Sequence, residues 1–333
     1  MTRRWCLTML ASLIAGFALA AAAEAQVYSR AELAKDEVRL RNAVIKIYEI
    51  GIKPSLTEAE KKAIGDFEFR FPYPKGNDEL MNFYATTDGR SLIMPIMSLK
   101  ALEDLATAYG WTYNQPGLSL STIDVYYTML RYRDPKPPAI LKALHIPDDA
   151  LKDPRVDDLS LRLRNEAFAF IIIHELGHIR FKHKPVNAIS AQQAQKDESE
   201  ADRFALDVLA RTKTPALGAA LFFQAQIYNL EHRSEFASEE AFKKHMQETM
   251  SHPLSVERIK EMAAYMEGPL ARGRPTEAVI WQGTGMQLRQ VVAVLEDVDL
   301  ARCVVRYAKT AELSVLKPRQ KVDEAGMLAK CRS

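Results

Sequence analysis

The run Ile171-Ile172-Ile173-His174-Glu175-Leu176-Gly177-His178 constrains this chain more than any other stretch. A fully apolar turn leads directly into two imidazoles and a carboxylate. A helix there buries polar groups at a cost of roughly several kcal/mol unless something satisfies them. His174 and His178 are four residues apart and share one helix face, so both rings can reach one ion. Glu175 lies about 100° round from His174, close enough to reach a water at that ion but not aligned as a ligand. The spacing predicts a zinc site with His174 and His178 as ligands and Glu175 as general base. The rival reading, two surface imidazoles beside an incidental Glu, needs an exposure that Ile171–Ile173 oppose. Gly177 costs about 1 kcal/mol against Ala inside a helix, which predicts close approach of another element.

A catalytic zinc takes a third protein ligand and keeps one position open. Glu198-Ser199-Glu200-Ala201-Asp202 follows on the next helical pattern. Glu198 and Asp202 share a face, while Glu200 points elsewhere. That face can give one carboxylate to the metal and another to the outer N–H of a ligand imidazole. A solvated acidic face is the alternative, and the neighbouring H-E-x-x-H weighs against it. Phe204, Ala205, Val208 and Leu209 form the buried stripe of the same helix.

Composition narrows the class. With 45 basic and 43 acidic residues and 47% apolar residues, the chain is too hydrophobic for disorder. Its charge balance gives no global reason to bind nucleic acid or acidic lipid. The first 25 residues are read apart from the fold. Arg3 and Arg4 precede an apolar run from Leu7 to Ala23 that closes in Ala23-Glu24-Ala25, the anatomy of a secretory signal cleaved before Gln26. An uncleaved anchor is the alternative. Export makes the chain periplasmic or secreted, and no transmembrane segment is expected in the mature chain. Cys303 and Cys331, the pair left after Cys6, then plausibly form a disulfide worth roughly 3 kcal/mol; two separate thiols remain the alternative.

The periodicities place the remaining elements. Ser29-x-x-Glu32 and Ser55-x-x-Glu58 each open a helix, the second stopping at Gly65. Phe67, Phe69 and Phe71 alternate with charges as in a half-buried strand. Asp88-Gly89 between two β-prone runs predicts a hairpin over 82–94, with Pro95 putting 90–94 at an edge. A helix runs from Leu99 to Tyr109, and residues 134–156 read as a Pro-rich connection with one short helix near Ile140–Leu144. Helices follow at about 159–184, 191–211, 215–231, 239–250 and 254–266. After 275 come one helix and a β-prone stretch near Cys303–Tyr307. The fold class is α+β: a mostly helical zincin-type domain with a small antiparallel hairpin or sheet beside the metal helix. The expected organisation is a signal at 1–25, a peptidase domain at 26–270, and a C-terminal helix and tail at 271–333.

Taken together, His174-Glu175-Leu176-Gly177-His178 with His183, then Glu198-x-x-x-Asp202 with Arg203-Phe204-Ala205, resemble the gluzincin peptidases of family M forty-eight. Ser251-His252-Pro253 with Arg258-Ile259 is similar to another element of that family, and so is the hairpin at 82–94. The resemblance implies that His174, His178 and Glu198 are zinc ligands, that Glu175 is the base, and that Asp202 orients a ligand. It makes His252 a candidate oxyanion stabiliser, although a His-Pro before a helix also serves as a cap. His183, about 140° beyond His178 on a continuing helix, points away from the metal and reads as structural. His145, His232 and His245 lack ligand spacing and read as surface residues. The chain departs from the family in lacking its transmembrane helices and repeat arrays, and in carrying the segment 134–158.

The resulting expectation is an exported endopeptidase with one Zn2+ per chain, taking unfolded or extended polypeptides, with strand addition at 90–94 as the means of binding. A role in envelope protein quality control would suit such a substrate. A metal-binding chaperone or adaptor and a zinc hydrolase of a non-protein bond are the alternatives.

Overall fold

The computed structural model describes residues 27–74, 80–86, 88–229, 235–249 and 254–317. The stretch 1–25 read as a secretory signal, Cys331, His232 and the Ser251-His252-Pro253 element lie outside them. Among the described residues no helix is long and apolar enough to cross a membrane.

The chain opens as the first capping box predicts. The Ser29 hydroxyl accepts the Glu32 N–H at 3.2 Å and the Glu32 carboxylate accepts the Ser29 N–H at 2.8 Å, starting α1 (Arg30–Lys46). The second box sits two residues later than expected. Thr57 and Glu60 cap α2 (Glu58–Ile64), and Gly65 ends it at φ +68°.

A three-stranded sheet follows, β1 (Glu68–Arg70), β2 (Tyr84–Ala85) and β3 (Ser91–Ile93), in the order β1-β3-β2. The Asp-Gly turn forms as expected: the Asp88 carboxylate accepts from the Thr86 hydroxyl at 2.6 Å and the Arg90 N–H at 3.0 Å, with Gly89 at φ +68°. Two expectations are corrected. The sheet is mixed, because β1 pairs with β3 in parallel and only β2 pairs with it antiparallel. The 90–94 strand is central, so the edge beside the helix that carries His174 and His178 is β2. The physical reason lies in β3, whose three residues are all buried. A buried strand leaves no backbone group unpaired, and β1 supplies the second ladder. Pro95 ends the strand by capping α3 (Ile96–Asn114). On the β1 side Phe67 and Phe69 pack edge-on against Tyr48 at 5.2 and 5.6 Å.

The helical layer is built round α6 (Pro154–Phe181), which packs against α3, α7 (Ala191–Thr212) and α8 (Leu217–Asn229). The α6 helix begins earlier than expected, since Pro154 takes the first helical position, where no N–H is needed. Asp153 caps it by accepting the Arg155 N–H. Its middle, Glu166–Gly177, is buried on every side. Such a helix needs close neighbours, and glycines admit them. A Cβ on Gly177 would stand 3.0 Å from the Ala201 Cα on α7. On α3, which continues past Gly110 to Asn114, a Cβ at Gly110 would lie 2.3 Å from the Ser160 Oγ. On α8 a Cβ at Gly218 would lie 2.2 Å from the Leu163 carbonyl oxygen. Glu166 accepts the Gly218 N–H at 3.0 Å, and burial pushes its carboxyl up to about 7 despite that bond.

Between α3 and α6 lie α4 (Ser121–Tyr132), not anticipated from sequence, and the short α5 (Ile140–Ala143) inside the Pro-rich connection. Beyond α8 come α9 (Glu239–Thr249), α10 (Val256–Tyr265), α11 (Ala278–Glu296) and α12 (Val298–Thr310). The β-prone stretch near Cys303 is therefore helical. Cys303 and Ala308 are buried, with Tyr307 and Ala311 packed against the core, which is a helical period. That period outweighs the local β preference of Val304 and Val305. Cys303 is disulfide-bonded.

The close approach at α8 has a measurable consequence. Gly218→Ala should lower stability by about 1–3 kcal/mol through overpacking. Gly283→Ala on α11, where nothing stands within 4 Å, should raise it by up to about 1 kcal/mol. Denaturant unfolding of both variants checks the pair; a neutral Gly218→Ala would contradict this crossing.

Candidate metal centre

The buried centre of α6 and the acidic face of α7 meet where Gly177 admits Ala201. On α6, His174 is 5% exposed and Glu175 2%, while His178 is half-buried. On α7, Glu198 and Asp202 are each 1% exposed. Carboxylates and imidazoles this deep are kept only when they pair with one another or with an ion.

Three ligand-type groups converge. His174 Nε2 and His178 Nε2 are 3.1 Å apart, His174 Nε2 and Glu198 Oε2 3.4 Å, and His178 Nε2 and Glu198 Oε1 3.5 Å. Each ring is nearest a different oxygen of Glu198, and with one ligand atom from each residue the three lie within 4.8 Å of one another, a group that could hold a metal ion. The charges agree with the spacing. Glu175, Glu198 and Asp202 bring three carboxylates into the cluster against one buried guanidinium, Arg258. Burial pulls the His174 imidazolium down, but Asp202 and Glu198 more than offset this and hold it up to about 10. An excess of carboxylates round two imidazoles suits a cation.

The other side of each ligand is held in turn. Asp202 Oδ1 stands 2.9 Å from His174 Nδ1, fixing that ring with its Nε2 toward Glu198. Arg258 on α10 donates to Asp202 through Nε at 2.6 Å and Nη2 at 2.9 Å, and its Nη1 lies 2.7 Å from Glu198 Oε2. Burial works against the ionised Asp202, yet Arg258 and His174 keep its carboxyl below the usual range. Burial likewise disfavours the charge on Arg258, and Asp202 and Glu198 hold it protonated.

Glu175 faces the other way, toward the sheet. Its Oε2 accepts the Ala85 N–H of β2 at 2.7 Å. The carboxylate thus opens on a cleft of about 780 Å³ that Tyr84, Ala85, Glu175, His178 and Glu198 help to line.

The structure brings together His174, Glu175, His178, Glu198 and Asp202 of the residues singled out from sequence. His252 lies outside the described residues. His145 is exposed, as expected, whereas His245 is half-buried beside Phe236 at 4.9 Å. His183 is a correction. The helix stops at Phe181 instead of continuing, because Lys182 adopts a left-handed φ of +58°. The chain then turns back and sets His183 Nδ1 2.9 Å from His178 Nδ1. Arg258 was not anticipated as a site residue. Its signal was an arginine inside the buried stripe of α10, beside Ile259, Met262 and Ala263.

A family model described as Peptidase U49 matches residues 144–279, less than half of the chain but all of α6 and α7. The part that carries the site is thus similar to a peptidase family. It is a different family from M forty-eight, and the match overturns that resemblance. The motifs behind it are short and follow from the geometry of two facing helices round one ion, which separate families can share. The His252 role came from that resemblance alone and lapses with it. No curated protein and no solved structure matches the chain.

Arg258 gives the cluster its test. Arg258→Met leaves two buried carboxylates without their counter-charge, and the metal-free protein should lose about 3–5 kcal/mol. Denaturant unfolding in chelator measures it; a loss below about 1 kcal/mol would mean that Arg258 does not balance Glu198 and Asp202.

Proposed function

We propose that the protein is an exported zinc-dependent endopeptidase that cuts extended or unfolded polypeptides. The observation that carries the reading is the buried triad His174, His178 and Glu198, with ligand atoms 3.1–3.5 Å apart and Glu175 beside it on the cleft. The peptidase-family match over the same helices supports it. The signal-like stretch ending at Ala23-Glu24-Ala25 supports export.

A zinc ion held at this triad would supply a water of pKa about 7 and Lewis-acid polarisation of a peptide carbonyl. His174 and His178 would hold it by their Nε2 atoms and Glu198 by its carboxylate. Glu175 then accepts a proton from the attacking water and hands it to the departing amine. Its carboxylate is held for that work by the Ala85 N–H, which fixes Oε2. The β2 edge, Tyr84–Ala85, borders the cleft, and an extended substrate adding a strand there would be read through its backbone. This replaces strand addition at 90–94, which the central position of β3 prevents.

Hydrolysis of casein by the purified chain tests the reading. Activity should vanish in chelator and return with zinc, and Glu175→Gln should keep the metal while losing at least about 10²-fold in turnover. Metal binding without any cleavage would favour a chaperone or adaptor. Cleavage of a small ester but no protein would favour a hydrolase of another bond. Full activity of Glu175→Gln would overturn the catalytic assignment.

A further inference from the structure

The two ligand imidazoles are oriented by different means, and the difference assigns a task to His183. His174 meets a carboxylate directly, with Asp202 Oδ1 2.9 Å from its Nδ1. His178 has instead the imidazole of His183 at its outer nitrogen, Nδ1 to Nδ1, at 2.9 Å. On its far side His183 Nε2 lies 3.1 Å from Glu200 Oε2, with Asp197 Oδ1 at 3.7 Å. The His183 side chain is only 7% exposed, and its ring crosses that of His178 at 74° with centroids 5.0 Å apart. The backbone is shaped for this contact. Lys182 in the left-handed region lets the His183 N–H close on the His178 carbonyl at 3.0 Å, folding the side chain back over the last turn of α6.

Proton placement along this line follows from what each group can donate. An ionised carboxylate only accepts, so Glu200 takes the proton of His183 Nε2. With that proton on Nε2, the singly protonated ring presents a lone pair at Nδ1. Of the two facing Nδ1 atoms one must donate, and only His178 is left to do so. With its proton on Nδ1, His178 directs a bare Nε2 into the triad, the form a metal needs. We propose that His183, held by Glu200, is a positioning residue that fixes the tautomer and ring orientation of His178. The chain thereby matches through two residues what Asp202 does for His174 through one. This inference rests on the metal-centre reading above, but its first readout requires no metal.

The experiment is ¹⁵N NMR of histidine side chains in the full metal-free chain, followed by zinc titration. In the wild type His178 should carry its proton on Nδ1, and a proton on Nε2 would overturn the proposal without any variant being made. His183→Phe keeps a ring but removes the acceptor. It should shift His178 toward the other tautomer and weaken zinc binding about 10–100-fold. His183→Asn restores an acceptor near the Nδ1 position and should return the tautomer and most of the affinity, which a merely structural role would not produce. Thermal unfolding of each variant separates misfolding from misorientation. Zinc affinity of folded His183→Phe within twofold of wild type would overturn the proposal. The expected tautomer in a wild type that binds no zinc would uphold the relay and overturn the metal reading instead.

Discussion

Burying charge inside the apolar middle of α6 is the constraint on which the rest of the structure depends. Ile171, Ile172 and Ile173 carry His174 and Glu175 into the core, where an unpaired imidazole or carboxylate costs several kcal/mol by order of magnitude. The neighbours answer that cost in turn. The α7 helix approaches closely because Gly177 has no side chain, and it brings Glu198 and Asp202 opposite the imidazoles. Two more buried carboxylates then need a positive charge, and α10 supplies Arg258. Each element solves a polar problem that the previous one creates, so the cluster is as much a part of the core as the leucines around it.

The open side follows the same logic. Glu175 turns its Oε2 toward the sheet, where it accepts the Ala85 N–H of β2. Because β3 is paired on both sides, the strand that reaches Glu175 is β2, and its edge borders the cleft. The Glu175 carboxylate, a triad that could hold a cation and the β2 strand thus meet at one cleft.

Much of this was legible in the chain because it is local. Periodicity placed α6 and α7, the four-residue spacings put His174 with His178 and Glu198 with Asp202, and Gly177 marked a crossing. What escaped depends on distant or conformational choices. The pairing of β1 with β3 skips β2, which lies between them in the chain, and nothing in Phe67–Phe71 states its direction. The turn of His183 onto His178 hangs on one left-handed residue, Lys182, a conformation that lysine seldom adopts. Arg258 lies far along the chain from Asp202, so its charge reads as ordinary until α10 packs. The M forty-eight resemblance failed for the reverse reason: its motifs are short and local and carry little information about family.

The central claim is that two imidazoles and one carboxylate hold a single zinc ion. Zinc K-edge X-ray absorption of the full chain loaded with one equivalent of zinc tests it directly. The account predicts four nitrogen or oxygen neighbours at about 2.0–2.1 Å, outer-shell scattering from two imidazoles, and no sulfur at about 2.3 Å. A sulfur shell, or scattering from fewer than two imidazoles, would contradict it.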